Sequence, residues 1–431
     1  MCLILRAAVL AAFLTAASTG PALAAPATVD TGHVAWVLTS SGLVLFMTLP
    51  GLALFYGGLV QAKNVLSVVM HCFAICCIAS VLWVAFGYTL AFSDGTPWLG
   101  SLAKALLTQL DAVRPQTSLP ENVFALFQMT FAIITPALIV GAFPERIRFP
   151  FVALFSAAWL MLVYVPVAHW MWGGGWLATL GALDFAGGVV VHTTAGVSAL
   201  VVALLVGPRR GFPNALTPPH SPGMTMAGAG MLWVGWFGFN GGSALAADAS
   251  AASAMIATQL AASAGALVWM AAEWIKIRKP TSIGIVTGCV AGLATVTPAA
   301  GYVGPAGAMV LGALGGGVCF GATLLVKQRF RVDDTLDVFA VHGVGGMLGS
   351  LLLAFLALPA LGGSGLPEGA SPAAQLGLQA LAVAAVALWS GLATVAITKL
   401  VGAVTGVRAD AEEEFDGLDL ATHGERAYEF T

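Results

Sequence analysis

The stretch SVVMHCFAICCIASVLWVAFGYTLAF, residues 67–92, runs for 26 residues without a lysine, arginine, aspartate or glutamate. As a helix rising about 1.5 Å per residue it outspans a bilayer hydrocarbon core about 30 Å thick. Comparable apolar windows lie near 34–60, 121–142, 149–167, 186–206, 224–239, 252–275, 283–299, 304–327, 338–358 and 376–404. Together they predict an all-α membrane protein with eleven transmembrane helices. Composition agrees: 59% of the 431 residues are apolar and 9% charged, against about 45–50% and 25% in soluble chains. An ordinary soluble enzyme and a disordered chain are excluded. A net charge of −3 leaves no basic surface for nucleic acid. The 52 glycines suit helices packed backbone to backbone in a membrane.

Ahead of the first window, Arg6 precedes an Ala/Leu/Val run, and Ala22-Leu23-Ala24 offers a small-residue cleavage site. Residues 1–25 therefore read as a signal peptide, with 26–405 as the helical domain and 406–431 as a cytoplasmic tail. Processing would leave the mature N-terminus outside, and the basic residues test that topology. Lys63, Arg146, Arg148, Arg209, Arg210, Lys276, Arg278, Lys279, Lys327, Arg329, Arg331, Lys399, Arg408 and Arg426 all fall on the predicted cytoplasmic side, and only Lys104 and Arg114 outside. That alternation fits eleven spans, N-terminus out and C-terminus in.

An internal repeat is also visible. LFYGG ends the first span and FGFNGG the sixth, and each half carries a histidine after an aspartate: Asp184 with His192, then Asp337 with His342. Five spans per half make the repeat inverted, with the eleventh helix left outside it. A histidine at membrane depth is costly and marks a candidate functional site. Buried, the two should stay neutral and can share a hydrogen bond, each ring holding a donor and an acceptor. Asp184, beside Gly187 and Gly188, could draw a cation or cap a helix N-terminus, and the capping role is the expectation. Asp333, Asp334 and Asp337 are expected to cap the tenth span and pair with Arg329 or Arg331. Aromatic residues gather at the outer ends of spans: Phe127 and Phe131 share a helix face, Trp172 lies in an outer connection, and Phe239 precedes Ser243. Aromatic faces attract an ammonium-like ion, and a hydroxyl accepts one of its N–H bonds. Cys72, Cys76 and Cys77 read as small apolar side chains rather than a metal site, because no zinc-like partners follow.

The segments PGLALFYGGLVQAKNVLS (50–67), FQMTF (127–131), AFPERIRF (142–149), MWGGG (171–175), ALDFAGGVVVH (182–192), WVGWFGFNGGSA (233–244), DDTLDVFAVHGVGG (333–346) and GLDLATHGERAY (417–428) resemble, in order, the bacterial ammonium transporters of the Amt/Mep/Rh family. The resemblance implies eleven helices with a pore in each protomer of a homotrimer. It implies an outer ammonium recruitment site at Trp172, Phe131 and Ser243, supported by Asp184. It implies a phenylalanine gate of Phe127 with Phe131 or Phe131 with Phe239, and twin pore histidines at His192 and His342. Trp172 places the chain nearer the Amt than the Rhesus branch. The implied cargo is ammonium or ammonia, with no cofactor.

Residues 408–431 hold eight acids and two arginines. A solvated tail is one reading. The resemblance implies instead that this segment docks on the cytoplasmic face and receives a PII-type signal protein. Three functions compete: an ammonium transporter, an ammonium sensor signalling through the tail, and a membrane enzyme using the histidines. The last is disfavoured because no nucleophile, metal-ligand set or cofactor motif accompanies them.

Overall fold

A computed structural model describes residues 28–429 apart from Gln109, Asp111 and Leu216. The expected signal peptide, residues 1–25, lies outside the described residues. Among the described residues there is no β-strand. Ten helices are long and apolar enough to cross a bilayer: α1 Thr31–Leu59, α2 Ala62–Phe92, α3 Glu121–Ala142, α4 Phe149–Leu180, α5 Gly188–Val206, then α7 Ala249–Ile277, α8 Ser282–Ala299, α9 Pro305–Arg329, α10 Phe339–Leu356 and α11 Pro372–Thr405. The window expected at 224–239 does fold as a helix, α6, Pro222–Trp236 with a π-helical continuation Phe237–Gly241. It is not among the ten, because glycines, tryptophans and Asn240 dilute its hydropathy.

The core is apolar as in a soluble protein, but so is the outer surface. Large apolar side chains point outward from the helices, with Val81 69%, Leu400 71% and Val404 81% exposed. Such a surface is stable only in an apolar medium, and the chain is a multi-pass membrane protein. Helices α7, α8 and α9 approach closely through glycine. A Cβ on Gly265 would lie 2.5 Å from the Gly288 carbonyl oxygen, and one on Gly316 would lie 2.5 Å from that of Gly265. With no hydrophobic drive between helices in lipid, that contact area is what binds them. Polar side chains fasten the longer connections: Gln379 Nε2 donates to the Leu183 carbonyl at 2.7 Å, holding α11 to the loop before α5. Two short helices, α12 Ala411–Asp416 and α13 Leu418–His423, form the tail.

Candidate functional site

Helices α5 and α10 run in opposite directions. The last carbonyl of α5, at Val206, accepts from Arg408 of the tail at 3.2 Å. Helix α10 instead begins on that side, where Thr335 accepts from Arg146 at 2.7 Å. Each opens with a π-helical turn, Gly188–Thr193 and Phe339–Gly343, and each turn carries a histidine. The two turns meet inside the molecule. His192 is fully buried and His342 nearly so. Their Nδ1 atoms are 3.3 Å apart, the rings 5.2 Å centre to centre and 25° from parallel. One Nδ1–H donates to the other Nδ1, which fixes opposite tautomers across the pair. The close approach needs Gly346 on α10, where a Cβ would lie 2.6 Å from the His192 Cβ.

An aspartate eight residues before each histidine builds its turn. Asp184 accepts four backbone N–H bonds: Gly187 and Gly188 at 2.9 and 2.7 Å on Oδ1, Val189 and Val190 at 2.8 and 3.0 Å on Oδ2. This is the expected capping role, and Gly187 at φ 115° supplies the left-handed turn it requires. Burial pushes the Asp184 carboxyl up to about 6, against the pull of those four donors. The counterpart in α10 is Asp334, whose Oδ2 accepts from Phe339 N at 2.7 Å. Burial and the neighbouring Asp337 carboxylate push Asp334 up to about 7. Asp337, expected to match Asp184, instead pairs with Lys327 at 2.8 Å. The expected partners of the cluster, Arg329 and Arg331, are exposed. Asp333 is held by Arg209 at 2.9 Å, with Arg146 at 3.9 Å. Burial raises its carboxyl and the Arg209 guanidinium more than reverses the effect, leaving it below the usual range. Sequence neighbours lost here to partners arriving from the loop after α5 and from the loop after α3.

On the side away from the tail, a cavity of about 420 Å³ is lined by Trp172, Phe131, Ser243, Asp184 and Gln128, among others. Trp172 Nε1 donates to the Asp184 carbonyl at 2.8 Å, which locks the indole in place. Ser243 Oγ donates to the Phe239 carbonyl at 2.7 Å, so its lone pairs remain for another donor. Beneath the cavity the rings continue in order. Trp172 meets Phe131 edge-on at 5.8 Å, Phe131 meets Phe239 at 4.4 Å, and Phe239 stacks over His192 at 6.1 Å. Phe127 lies beside Phe131 at 5.0 Å, edge to face. The two cations expected on this face are tied down. Lys104 and Arg114 both contact the buried Glu121, and the Arg114 guanidinium lies 4.4 Å from the Phe124 ring centre.

All the site residues named from the sequence on this side therefore converge on one cavity and one column of rings. Gln128 was missed. Its position between Phe124 and Phe131, four and three residues away, puts it on their helix face, and that spacing was the available signal. Among the described residues no group of three or more histidines, cysteines or carboxylates could hold a metal ion.

The tail packs on the opposite face. Arg148 pairs with Asp410 at 2.9 Å, Arg408 with Glu414 at 2.6 Å, and Lys63 Nζ donates to the Glu414 and Phe415 carbonyls. Asn64 closes the 3₁₀ turn that opens α2 and precedes its α-helical part, Val65–Leu82, without making a side-chain cap of its own. Asp419 takes that place, accepting from Leu66 N and Ser67 N at 3.0 and 2.7 Å, while Asn64 Oδ1 accepts from Leu418 N at 2.8 Å. The solvated-tail reading does not describe these residues. The expected spread of contacts across the basic face is narrower than foreseen, because no ion pair among the described residues joins the tail to Lys276 or Arg278.

The family model for the Ammonium Transporter Family matches residues 35–428. An ammonium transporter of Bacillus subtilis is 46% identical over 392 residues, covering 90% of this chain and 96% of the relative. Among solved structures, one described as "Sensor Amt Protein" has a TM-score of 0.85 at 29% identity, covering 91% of this chain and 98% of its own. Mep2 of Candida albicans has a TM-score of 0.82 at 34% identity, covering 90% and 88%.

Proposed function

The chain belongs to the ammonium transporter family, and on that premise we propose that it captures ammonium in the aromatic cavity and passes ammonia along the ring column to the paired histidines. Trp172 and Phe131 offer their ring faces to the cation, and Ser243 accepts one of its N–H bonds. Asp184 acts through structure: with both oxygens occupied, it holds the loop and the indole rather than the ion. Phe131 and Phe239 form the gate, and Phe127 backs Phe131. The observation that carries the reading is the unbroken contact from Trp172 through Phe131 and Phe239 to His192 and His342.

Selectivity follows from chemistry rather than size. Ammonium and potassium are close in radius and charge, so a cage alone separates them poorly. A dry, narrow passage imposes a desolvation cost of tens of kcal/mol on a bare ion by Born arguments. Ammonium escapes that cost by releasing its proton to water in the outer cavity before it enters the column, and potassium cannot. A neutral imidazole pair offers ammonia both a donor and an acceptor without a fixed charge.

The same proposal covers the topology. All eleven helices cross the membrane, α6 included, as two inverted five-helix halves plus α11. The mature N-terminus lies outside a bacterial inner membrane and the tail in the cytoplasm, after removal of residues 1–25. The charge alternation and the opposite directions of α5 and α10 support this. We place the working form as a homotrimer whose tail receives a PII-type protein. A second reading, an ammonium sensor signalling through the tail, is favoured by the similarity to the sensor structure and by the docked tail. The relatives carry transporter names, which fits a protein that is not an enzyme.

His192→Asp tests the proposal. A fixed charge in the column should admit potassium or lower ammonium flux at least tenfold in proteoliposomes. A variant that still excludes potassium and moves ammonium at the parental rate would overturn the role of the pair.

A further inference from the structure

Among the described residues lining the outer cavity, only Gln128 carries a buried side-chain polar atom with no partner in the protein. It lies on α3 between the cavity residues Phe124 and Phe131, is 8% exposed, and lines the same space as Trp172, Ser243 and Asp184. Its Oε1 is buried without a hydrogen-bond donor. Its neighbours are already committed. The Asp184 carboxylate is taken by four backbone N–H groups, the Trp172 N–H by the Asp184 carbonyl, and the Ser243 hydroxyl hydrogen by the Phe239 carbonyl. A buried amide oxygen without a donor is unusual in a folded protein and calls for one from whatever enters. No hydrogen bond from the protein holds the amide oxygen, so none has to break for it to accept from a guest.

We propose that Gln128 is a specificity-determining residue of the outer cavity, whose amide oxygen accepts an N–H bond from bound ammonium. The proposal rests on the ammonium reading given above. With it the cavity offers two directional acceptors, Gln128 Oε1 and Ser243 Oγ, beside the aromatic faces of Trp172 and Phe131. Aromatic faces attract any compact cation and cannot by themselves tell ammonium from an alkali ion. Directional acceptors can, because ammonium carries four N–H donors at tetrahedral angles. An alkali ion instead calls for a shell of six or more oxygens, which two acceptors do not supply. A primary alkylammonium keeps three donors and satisfies the same two acceptors, whereas a quaternary ammonium has none and would rely on the rings alone. The cavity thus ranks its guests by N–H count before any of them reaches the gate.

The test uses purified full-length protein in proteoliposomes, with initial ammonium flux measured against concentration for the parent, Gln128→Leu and Gln128→Glu. Gln128→Leu keeps the size of the side chain and removes the acceptor. It should raise the half-saturating ammonium concentration about five- to tenfold, the worth of one hydrogen bond to a charged donor, and leave maximal flux within twofold. Gln128→Glu restores an acceptor oxygen and should return half-saturation to the parental value or below. Inhibition by tetramethylammonium, which has no N–H to donate, should be the same in the parent and Gln128→Leu. Half-saturation unchanged in Gln128→Leu, or lost maximal flux that Gln128→Glu does not rescue, would overturn the proposal and assign Gln128 to packing. A parent protein that carries no ammonium would instead overturn the transport reading itself, so the two failures are distinguishable.

Discussion

At the scale of single residues, Trp172 is where capture and packing can be separated. Its ring is partly exposed at the cavity, and its one hydrogen bond is the Nε1 contact to the Asp184 carbonyl. Trp172→Leu should therefore lose a cation–π contact, with about 1 kcal/mol lost from that hydrogen bond. The expected outcome is a half-saturating ammonium concentration raised about tenfold, with the unfolding midpoint in detergent lowered by only a few degrees. Flux measured against concentration, with thermal unfolding alongside, decides it. A parental concentration dependence would leave the indole without a capture role. Much at this scale was legible beforehand. Trp172, Phe131, Ser243 and Asp184 share one cavity, and His192 meets His342, as their places in the sequence suggested. Which of Asp333, Asp334 and Asp337 caps the turn was not legible, and neither was Gln128. Asp337 was the nearer carboxylate in the chain, and only the fold shows that Asp334 caps the turn while Asp337 turns to Lys327. Gln128 looked like one more position in an apolar span, because the absence of a partner is a property of the assembled site.

At the scale of elements, the two π-helical turns depend on how closely α5 and α10 can approach. Gly346 is the point of contact. Adding a Cβ there would set it 2.6 Å from His192 Cβ and 2.7 Å from the Gly188 carbonyl oxygen, so one turn must shift away from the other. Gly346→Ala should cost about 1–3 kcal/mol through overpacking. It should also lower ammonium flux by a larger factor than it changes half-saturation, because the cavity above is untouched. Equal flux in variant and parent would mean that the spacing of the histidine pair is not critical. The tail obeys a different economy. Its pairs with Arg148 are partly exposed, and such ion pairs contribute little each. The buried exchange between Asn64 and Asp419 gives α2 the N-cap that its own sequence withholds. Acidity predicted that the segment would meet a basic face, but not that a tail aspartate would finish a membrane helix. That pairing joins residues more than 350 positions apart, beyond any local pattern.

Across the whole molecule, cavity and tail lie at opposite ends of the same helices. Helix α3 carries Phe131 and leads into Arg146 and Arg148, and α2 begins on Asp419. A truncation after Val407 should therefore be felt at a distance. It uncaps α2 and frees Lys63 and Arg148, and it should lower maximal flux severalfold while the proposed trimer still assembles. It should also abolish binding of a PII-type protein. Flux and PII binding measured on the truncated protein test both parts, and unchanged values for both would make the tail a passive extension. Ten of the expected spans were readable because hydropathy alternates on a scale of about twenty residues. The one expected window that falls short, α6, is the helix whose glycines pack closely on α1 and whose Phe239 joins the ring column, so its low hydropathy has a local cause. The central claim is that selectivity comes from the chemistry of the passage rather than the fit of a cage. Ammonium uptake and membrane current, recorded together from purified protein in proteoliposomes with potassium in hundredfold excess, test it most directly. The account predicts saturable ammonium uptake that potassium neither accompanies nor blocks, whereas potassium carried through the same protein at a comparable rate would contradict it.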